Sequence, residues 1–325
     1  MKATRQIKMS RLDEPRVVVI GELNVDIVAT GIRAIPEMGT EVVARDCQLT
    51  LGSASAIFAA GMSKLGHPIT IVSQVGKDVF GDFCIRARQA AGVSTSRVLR
   101  NPEVRTGVTI AMSNSRDRAL VTFPGAIESF GYEQLNMSLL NGHQHLHLTS
   151  YFLQKKLQRS FPQIFQQARS LGLTTSFDPN SDPSGAWNSK ISKVFPHINV
   201  LFLNRREALQ LTRAKTVGSA LKKLAQLVPC AVVKLGAKGA IAIRGSEVVT
   251  EQGFRIEPLD TTGAGDSFDA GFISSYLRGA SLSNCLRTGN VCGALSTLKP
   301  GGTAGQPDAQ QLLKFVRSKK GSDKR

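Results

Sequence analysis

The chain has 325 residues, of which 42% are hydrophobic and 20% charged, and it carries a formal net charge of +17. Such a composition builds one large core, or one core with a smaller appendage, and no apolar run approaches the ~20 residues that a bilayer-spanning helix needs. The charge raises the question of nucleic acid, but the basic residues gather at the two ends, and three Tyr and one Trp are too few for a base-stacking platform, so nucleic acid is not the expected partner.

Residues 1–15 are polar and basic without the apolar centre of a secretory signal, and are expected to form a tail. RVVVIGEL (16–23) is a short β-branched apolar run ending near a glycine, which reads as a buried parallel strand. ITIVSQVG (69–76), HLHLTS (145–150), LTTSFDPN (173–180), NVLFLN (199–204) and CAVVKLG (230–236) have the same character. Between them lie helical patterns at 53–65, 80–91, 158–171, 205–211 and 216–227. Strands alternating with helices predict a doubly wound, mainly parallel α/β sheet flanked by helices.

Two stretches, 26–50 and 104–123, lack helical period. Runs such as EVVARDCQL (41–49), TGVTIAM (106–112) and ALVTF (119–123) alternate between turn signals and read as antiparallel strands. They predict a small β-sheet lid, made of two insertions, over the carboxyl edge where ligands bind such sheets. After Val249 helices are expected at 264–278, 281–298 and 308–318, and then a basic tail at 319–325. The expected organisation is one domain over 16–318.

The five cysteines, Cys47, Cys84, Cys230, Cys285 and Cys292, form no C-x-x-C pair and are odd in number. Free thiols in a reducing, cytoplasmic compartment are expected, with Cys285 and Cys292 sharing one helix face. His143, His145 and His147 alternate on one strand and could face a metal. Their interior position, with no acidic or Cys partner nearby in sequence, favours core histidines instead.

The strongest chemical signal is D-T-T-G-A-G-D-S-F-D-A-G-F, residues 260–272. Phe268, Phe272, Ile273, Tyr276 and Leu277 give the following helix an apolar face. The Gly263-Ala264-Gly265 turn therefore opens a helix whose first N–H groups lack intrahelical partners and attract anions. Asp266 lies in that first turn. A carboxylate beside an anion hole makes sense as a base that takes a proton from an attacking hydroxyl while the N–H groups neutralise a transferred phosphoryl group.

This string closely resembles the second signature of the ribokinase-like (PfkB) sugar kinase family. The resemblance extends from about residue 16 to 317 through G-E-L-N-V-D (21–26), G-K-D-x-F-G (76–81), T-G-V (106–108) with P-G-A (124–126), F-D-P-N (177–180), N-R-R-E (204–207) and K-L-G-A-K-G (234–239). It implies an ATP-dependent kinase of a small sugar or sugar-like hydroxyl acceptor. It also implies that Asp266 is the base, with Gly263, Ala264 and Gly265 as the anion hole. Asp26, with Asn24, Gly52 and Ser53, would bind the substrate; Asn204, Lys234, Gly236, Gly239 and Thr262 would bind the nucleotide. Asn204 and Glu207 would hold Mg²⁺ through water, although an N-cap with its reciprocal Glu fits the same spacing. Asp260 and Thr262, with the loop Lys299–Gly305, resemble the shell of a monovalent cation such as K⁺. Lid strands of such folds can pair between subunits, which would make a homodimer.

The chain departs from the family where G-G-x-x-x-N is usual. Here the segment is Gly52-Ser53-Ala54-Ser55-Ala56-Ile57. Ile57 cannot hydrogen-bond a sugar hydroxyl, so an apolar patch suited to a nucleobase, deoxy or alkyl group is expected there. Ala54 stands where relatives acting on sugar phosphates tend to carry Lys. Two rival readings follow: a nucleoside kinase of the same family, and a non-catalytic sugar or nucleotide sensor.

Overall fold

The computed structural model describes residues 14–113, 118–187 and 189–320. Most of the two expected basic tails lies outside these residues, although residues 319 and 320 continue a helix.

Six apolar runs and one segment of mixed polarity become parallel strands. These are β1 (Val17–Ile20), β4 (Ile69–Gly76), β5 (Ser94–Asn101), β8 (His145–Thr149), β9 (Thr174–Asp178), β10 (Val200–Asn204) and β11 (Cys230–Lys234). An antiparallel hairpin, β12 (Ala240–Arg244) and β13 (Glu247–Glu251), extends one edge. The nine-stranded order is β13-β12-β11-β10-β9-β8-β1-β4-β5. The chain winds outward from β1 to β5, then returns to β8 and winds the other way. The switch point therefore lies between β1 and β8, where such sheets open a ligand crevice at their carboxyl ends.

Alternation along each strand feeds two cores. Val18 and Ile20, Leu201 and Leu203, and Ala231 and Val233 face one side. There they pack with α4 (Phe161–Ser170), α5 (Arg205–Thr212) and α6 (Val217–Leu224). Val17 and Val19, Val200 and Phe202, and Cys230 and Val232 face the other side. That layer holds α1 (Ala54–Lys64), α2 (Val79–Ala90), α7 (Ala264–Leu277) and α8 (Leu282–Ser296). Cys285 and Cys292 are both buried in α8. A short α3 (Ala126–Ser129) and the late α9 (Ala309–Lys320) complete the helices in the described residues.

The two insertions form a separate four-stranded sheet. Its strands are β2 (Asn24–Thr30), β3 (Asp46–Leu51), β6 (Gly107–Ser113) and β7 (Arg118–Phe123), in the order β3-β2-β6-β7. The expected strand at 41–49 begins only at Asp46. The expectation of antiparallel pairing fails at the centre, because β2 and β6 run parallel. They come from different α/β units, so no hairpin forces them antiparallel. Strands β5, β12 and β13 were not anticipated; β5 and β13 are largely exposed or half-exposed and mixed in polarity, which hides the apolar signature, whereas β12 is apolar and mostly buried.

The small sheet has two unlike faces. One row across it is Thr50–Asp26–Thr109–Thr122, and the next row on the opposite face is Leu49–Ile27–Ile110–Val121. The polar row faces the start of α1 and the loop after α8: a Cβ on Gly52 would overlap Asp26, and one on Gly301 would touch Thr50 at 3.4 Å.

Candidate active site

The turn before α7 is shaped by glycine. Gly263 caps the helix in the left-handed region, at φ 68°. A side chain there would also meet Ile57 Cδ1 at 2.8 Å and Gly302 Cα at 2.9 Å. Only glycine satisfies both demands. Gly265 faces Lys234, whose Nζ would lie 3.2 Å from an added Cβ. The Ala264 N–H donates to Thr261 O at a long 3.3 Å, a bond an anion could readily displace. Upstream, Asp260 accepts from the N–H of Thr262 at 2.9 Å and of Gly301 at 2.8 Å. It thereby ties the loop 299–305 to the turn.

Beneath the turn lies a buried group of charges. Lys234, at the end of β11, donates to Asp178 at 2.6 Å and to Asp269 at 3.1 and 3.2 Å. Carboxylate oxygens of Asp178, Asp266 and Asp269 lie within 4.8 Å of one another. Three carboxylates so close cannot all ionise. Burial would raise Asp178, but Lys234 and a hydrogen bond from Asp269 hold it low. Asp269 is pushed well up, by burial first and then by Asp178 against the pull of Lys234. Burial and the neighbouring acids thus favour the neutral form of Asp269, and Lys234 the charged form of Asp178. Asp266 is raised to about 7, by burial first, opposed by Lys234 and supported by Asp178, Glu22 and Glu207. It alone of the three acids is partly exposed.

A hydrogen-bond chain follows the carboxyl edge. Glu22, 3% exposed, accepts from the Ala54 N–H at 2.8 Å, Ser55 Oγ at 2.7 Å and Ser150 Oγ at 2.8 Å. Asn180 donates to Ser150 Oγ at 2.9 Å, and its own N–H meets Asp178 Oδ1 at 2.9 Å. The chain so reaches Lys234 and Asp269. Sequence reasoning did not single out Glu22, Ser150 or Asp269. For Asp269 the signal was available: it is an acid among the apolar residues Phe268, Ala270 and Phe272, one turn after Asp266.

The remaining predicted residues fall into groups. Asn24 donates to Asp26 Oδ1 at 3.0 Å and to Thr109 Oγ1 at 3.4 Å, so both sit under the small sheet beside Gly52. The Ser53 hydroxyl is spent on the α1 cap: it donates to Glu22 O and accepts from the Ala56 N–H at 3.1 Å. Asn204 and Glu207 form the reciprocal cap, with N–H to carboxylate at 2.8 Å and N–H to amide oxygen at 2.9 Å. Ser181 donates to the other Glu207 oxygen at 2.8 Å. Lys234 is committed to the acids rather than extended toward the rim. Gly239 is demanded by packing, since a Cβ there would meet Gly253 N at 2.5 Å, whereas Gly236, at φ 62°, has open space around it.

Two expectations change. The apolar patch at Ile57 is not offered to a ligand: Ile57 is 3% exposed and packs on Gly263 and Gly302. Its methyl groups fill the space between α1 and the glycine turn. The three histidines do not share one strand face, because His143 precedes β8 in a turn. His145 and His147 are buried and both contact Ser176 Oγ at 2.7 Å; His147 stacks on Phe58 at 3.8 Å. Burial pushes both pKa values down, so they are neutral core residues.

Solved structures share this architecture. Arabidopsis thaliana ribokinase, complexed with ribose and ATP, matches with a TM-score of 0.82 at 24% identity, over 94% of this chain and 99% of that one. A Ribokinase II from E. coli, in complex with ATP and Mg²⁺, gives 0.83 at 24% identity over the same shares. The fold is therefore ribokinase-like, and the family and the curated relatives that the chain matches make it a phosphotransferase, a sugar or nucleoside kinase. More narrowly, the description "pfkB family carbohydrate kinase" matches residues 14–309, and the chain belongs to that family. The 2-dehydro-3-deoxygluconokinase of Bacillus subtilis (strain 168) is 31% identical over 284 residues, covering 82% of this chain and 86% of that protein. No helix among the described residues is long and apolar enough to cross a membrane.

Proposed function

We propose that the protein transfers the γ-phosphoryl group of ATP to a hydroxyl of a small sugar or sugar-like acceptor, with Asp266 as the base. Asp266 itself carries the reading. It is a partly exposed carboxyl beside the glycine turn, with a pKa raised to about 7. A base works best when its pKa lies near the operating pH. As the acceptor oxygen attacks, Asp266 takes its proton, and the amides of residues 263–265 face the developing charge.

The donor chemistry fits magnesium, which prefers oxygen and keeps much of its water. Bound Mg²⁺ would supply charge neutralisation on the phosphates. Asn204 and Glu207 would hold it through water, because both Glu207 oxygens already accept hydrogen bonds. The Asp178–Asp266–Asp269 group is filled by the Lys234 ammonium instead. Both Asp260 oxygens accept backbone amides, so this residue suits holding the loop better than binding K⁺ directly.

Asp26 would take the acceptor hydroxyls, with the Thr50–Asp26–Thr109–Thr122 row above it as a lid that excludes water. Gly52 leaves Asp26 room, and Lys234, Gly236, Gly239 and Thr262 would border the nucleotide. A sugar is favoured over a nucleoside because Ile57 is buried. A sensor would need no such base. The exposed apolar row of the small sheet supports a homodimer paired lid to lid, and five free thiols suit a reducing cytoplasm.

The test is ADP release with ATP and Mg²⁺ over a panel of sugars, sugar acids and nucleosides. Turnover with a sugar that disappears in Asp266→Asn supports the reading. Turnover that survives this substitution, or silence over the whole panel with ATP still bound, refutes it.

A further inference from the structure

We propose that a cavity at the amino edge of the large sheet binds a small phosphate ester. The cavity measures about 590 Å³ and is lined by the starts of β1, β4 and β5 and the turn before β8. That volume falls in the range of small-ligand sites. It is remote from Asp266. Arg16 lies at its rim, and the five residue steps from Arg16 through β1 to Gly21, at about 3.3 Å each, put roughly 17 Å between them.

The lining is cationic without compensation. Arg16 and Arg97 both contribute, and no carboxylate does. Three other arginines are ion-paired, Arg100 with Asp82, Arg244 with Glu247 and Arg278 with Glu14. Among the described residues neither Arg16 nor Arg97 has an ion-pair partner.

The backbone is bent to build this wall. Thr70 pairs with Ser94, but Val72 pairs with Arg97, so two residues of β5 oppose one of β4. Such a bulge re-aims side chains and is a retained feature rather than a defect. Here it brings Ser94, Ser96 and Arg97 all to the cavity, with the two hydroxyls 3.1 Å apart. His143 adds an imidazole whose Nδ1 is buried with no hydrogen-bond partner. Burial, and then Arg16, lowers its pKa, which a bound anion would reverse. Two guanidinium forks with hydroxyl donors suit a tetrahedral dianion, whose three free oxygens can engage all of them at once. Apolar lining from Ile69 and Leu139 leaves room for the carbon skeleton of an ester.

The experiment is calorimetric titration with glucose 6-phosphate, inorganic phosphate and succinate, against three proteins. These are the unmodified chain, the double variant Arg16→Gln/Arg97→Gln, and Gly265→Val, which obstructs the anion-binding turn at the other edge. Glucose 6-phosphate should bind the unmodified chain and Gly265→Val alike, and at least about tenfold more weakly to the double variant. It should also move the His143 ring signal in the proton NMR spectrum, assigned with His143→Gln. If the double variant melts early, Arg97→Gln alone, on the exposed edge strand, should still weaken binding. Absence of binding, equal binding by the arginine variants, loss in Gly265→Val, or succinate binding as tightly as the phosphates would each overturn the proposal.

Discussion

The large and small sheets spend their polar residues in opposite ways. At the carboxyl edge of the large sheet, Lys234, Asp178 and Asp269 are buried and satisfy one another. In the small sheet Asp26, Thr109 and Thr122 stay accessible, and the opposite face leaves Leu49, Ile110 and Val121 more than two-fifths exposed. The first arrangement fixes charge in place; the second presents surface to something that comes and goes. Polar substitutions should therefore cost stability in one sheet and affinity or assembly in the other.

Asp266→Asn is the sharpest challenge to this division, because it lies at the large sheet yet is partly exposed. It should lose about 10²–10⁴-fold in turnover with little change in melting temperature. Its pH profile sharpens the point. The base must be deprotonated, and burial raises Asp266 to about 7, so kcat/KM should fall about tenfold per unit below that value.

Lys234→Met should be next. It strands Asp178, 2% exposed, without its cation, and should cost about 3–5 kcal/mol in denaturant unfolding. In whatever folded fraction remains, the acid limb of activity should move to higher pH, since Lys234 pulls Asp266 down. A double variant with Asp178→Asn should recover much of the loss; if it does not, the buried group is not held by mutual neutralisation.

In the small sheet, Thr109→Val should leave unfolding within about 0.5 kcal/mol while raising KM for the acceptor. A loss of several kcal/mol there would erase the contrast. Ile110→Glu, on the apolar row, should convert a dimer into a monomer by light scattering, with turnover per chain the reporter of whether assembly matters. The smallest effect is expected at Ser53, whose φ of 80° is costly for a residue with a side chain. Ser53→Gly should be neutral or stabilising by up to about 1 kcal/mol in thermal unfolding, because glycine loses only a few tenths as a cap.

The parallel core was legible because β1, β10 and β11 are nearly continuous apolar runs, a pattern that burial on both faces imposes. The glycine turn and Asp266 were legible because a helix start of that composition has few structural purposes. Strands β5 and β13 were not, since edge strands need no apolar run. Ile57 was misread for a related reason: residue type tells what a side chain can touch, not which way the neighbouring helix turns it. The pairing of Lys234 with Asp178 and Asp269 was not legible, because both acids are far away in the chain and only the fold joins them.

The register of β2 carries a consequence for synthesis. Asn24 pairs with Gly107, and β3, α1, β4, α2 and β5 all lie between them in the chain. At ordinary elongation speeds β6 leaves the ribosome on the order of 4–16 s after β2. Through that interval β2 and β3 can exist only as a two-stranded ribbon with Ile27 and Leu49 bare and one side of β2 unpaired. Unpaired edges of this kind recruit other chains, so the nascent protein is open to aggregation while its small sheet is still half written.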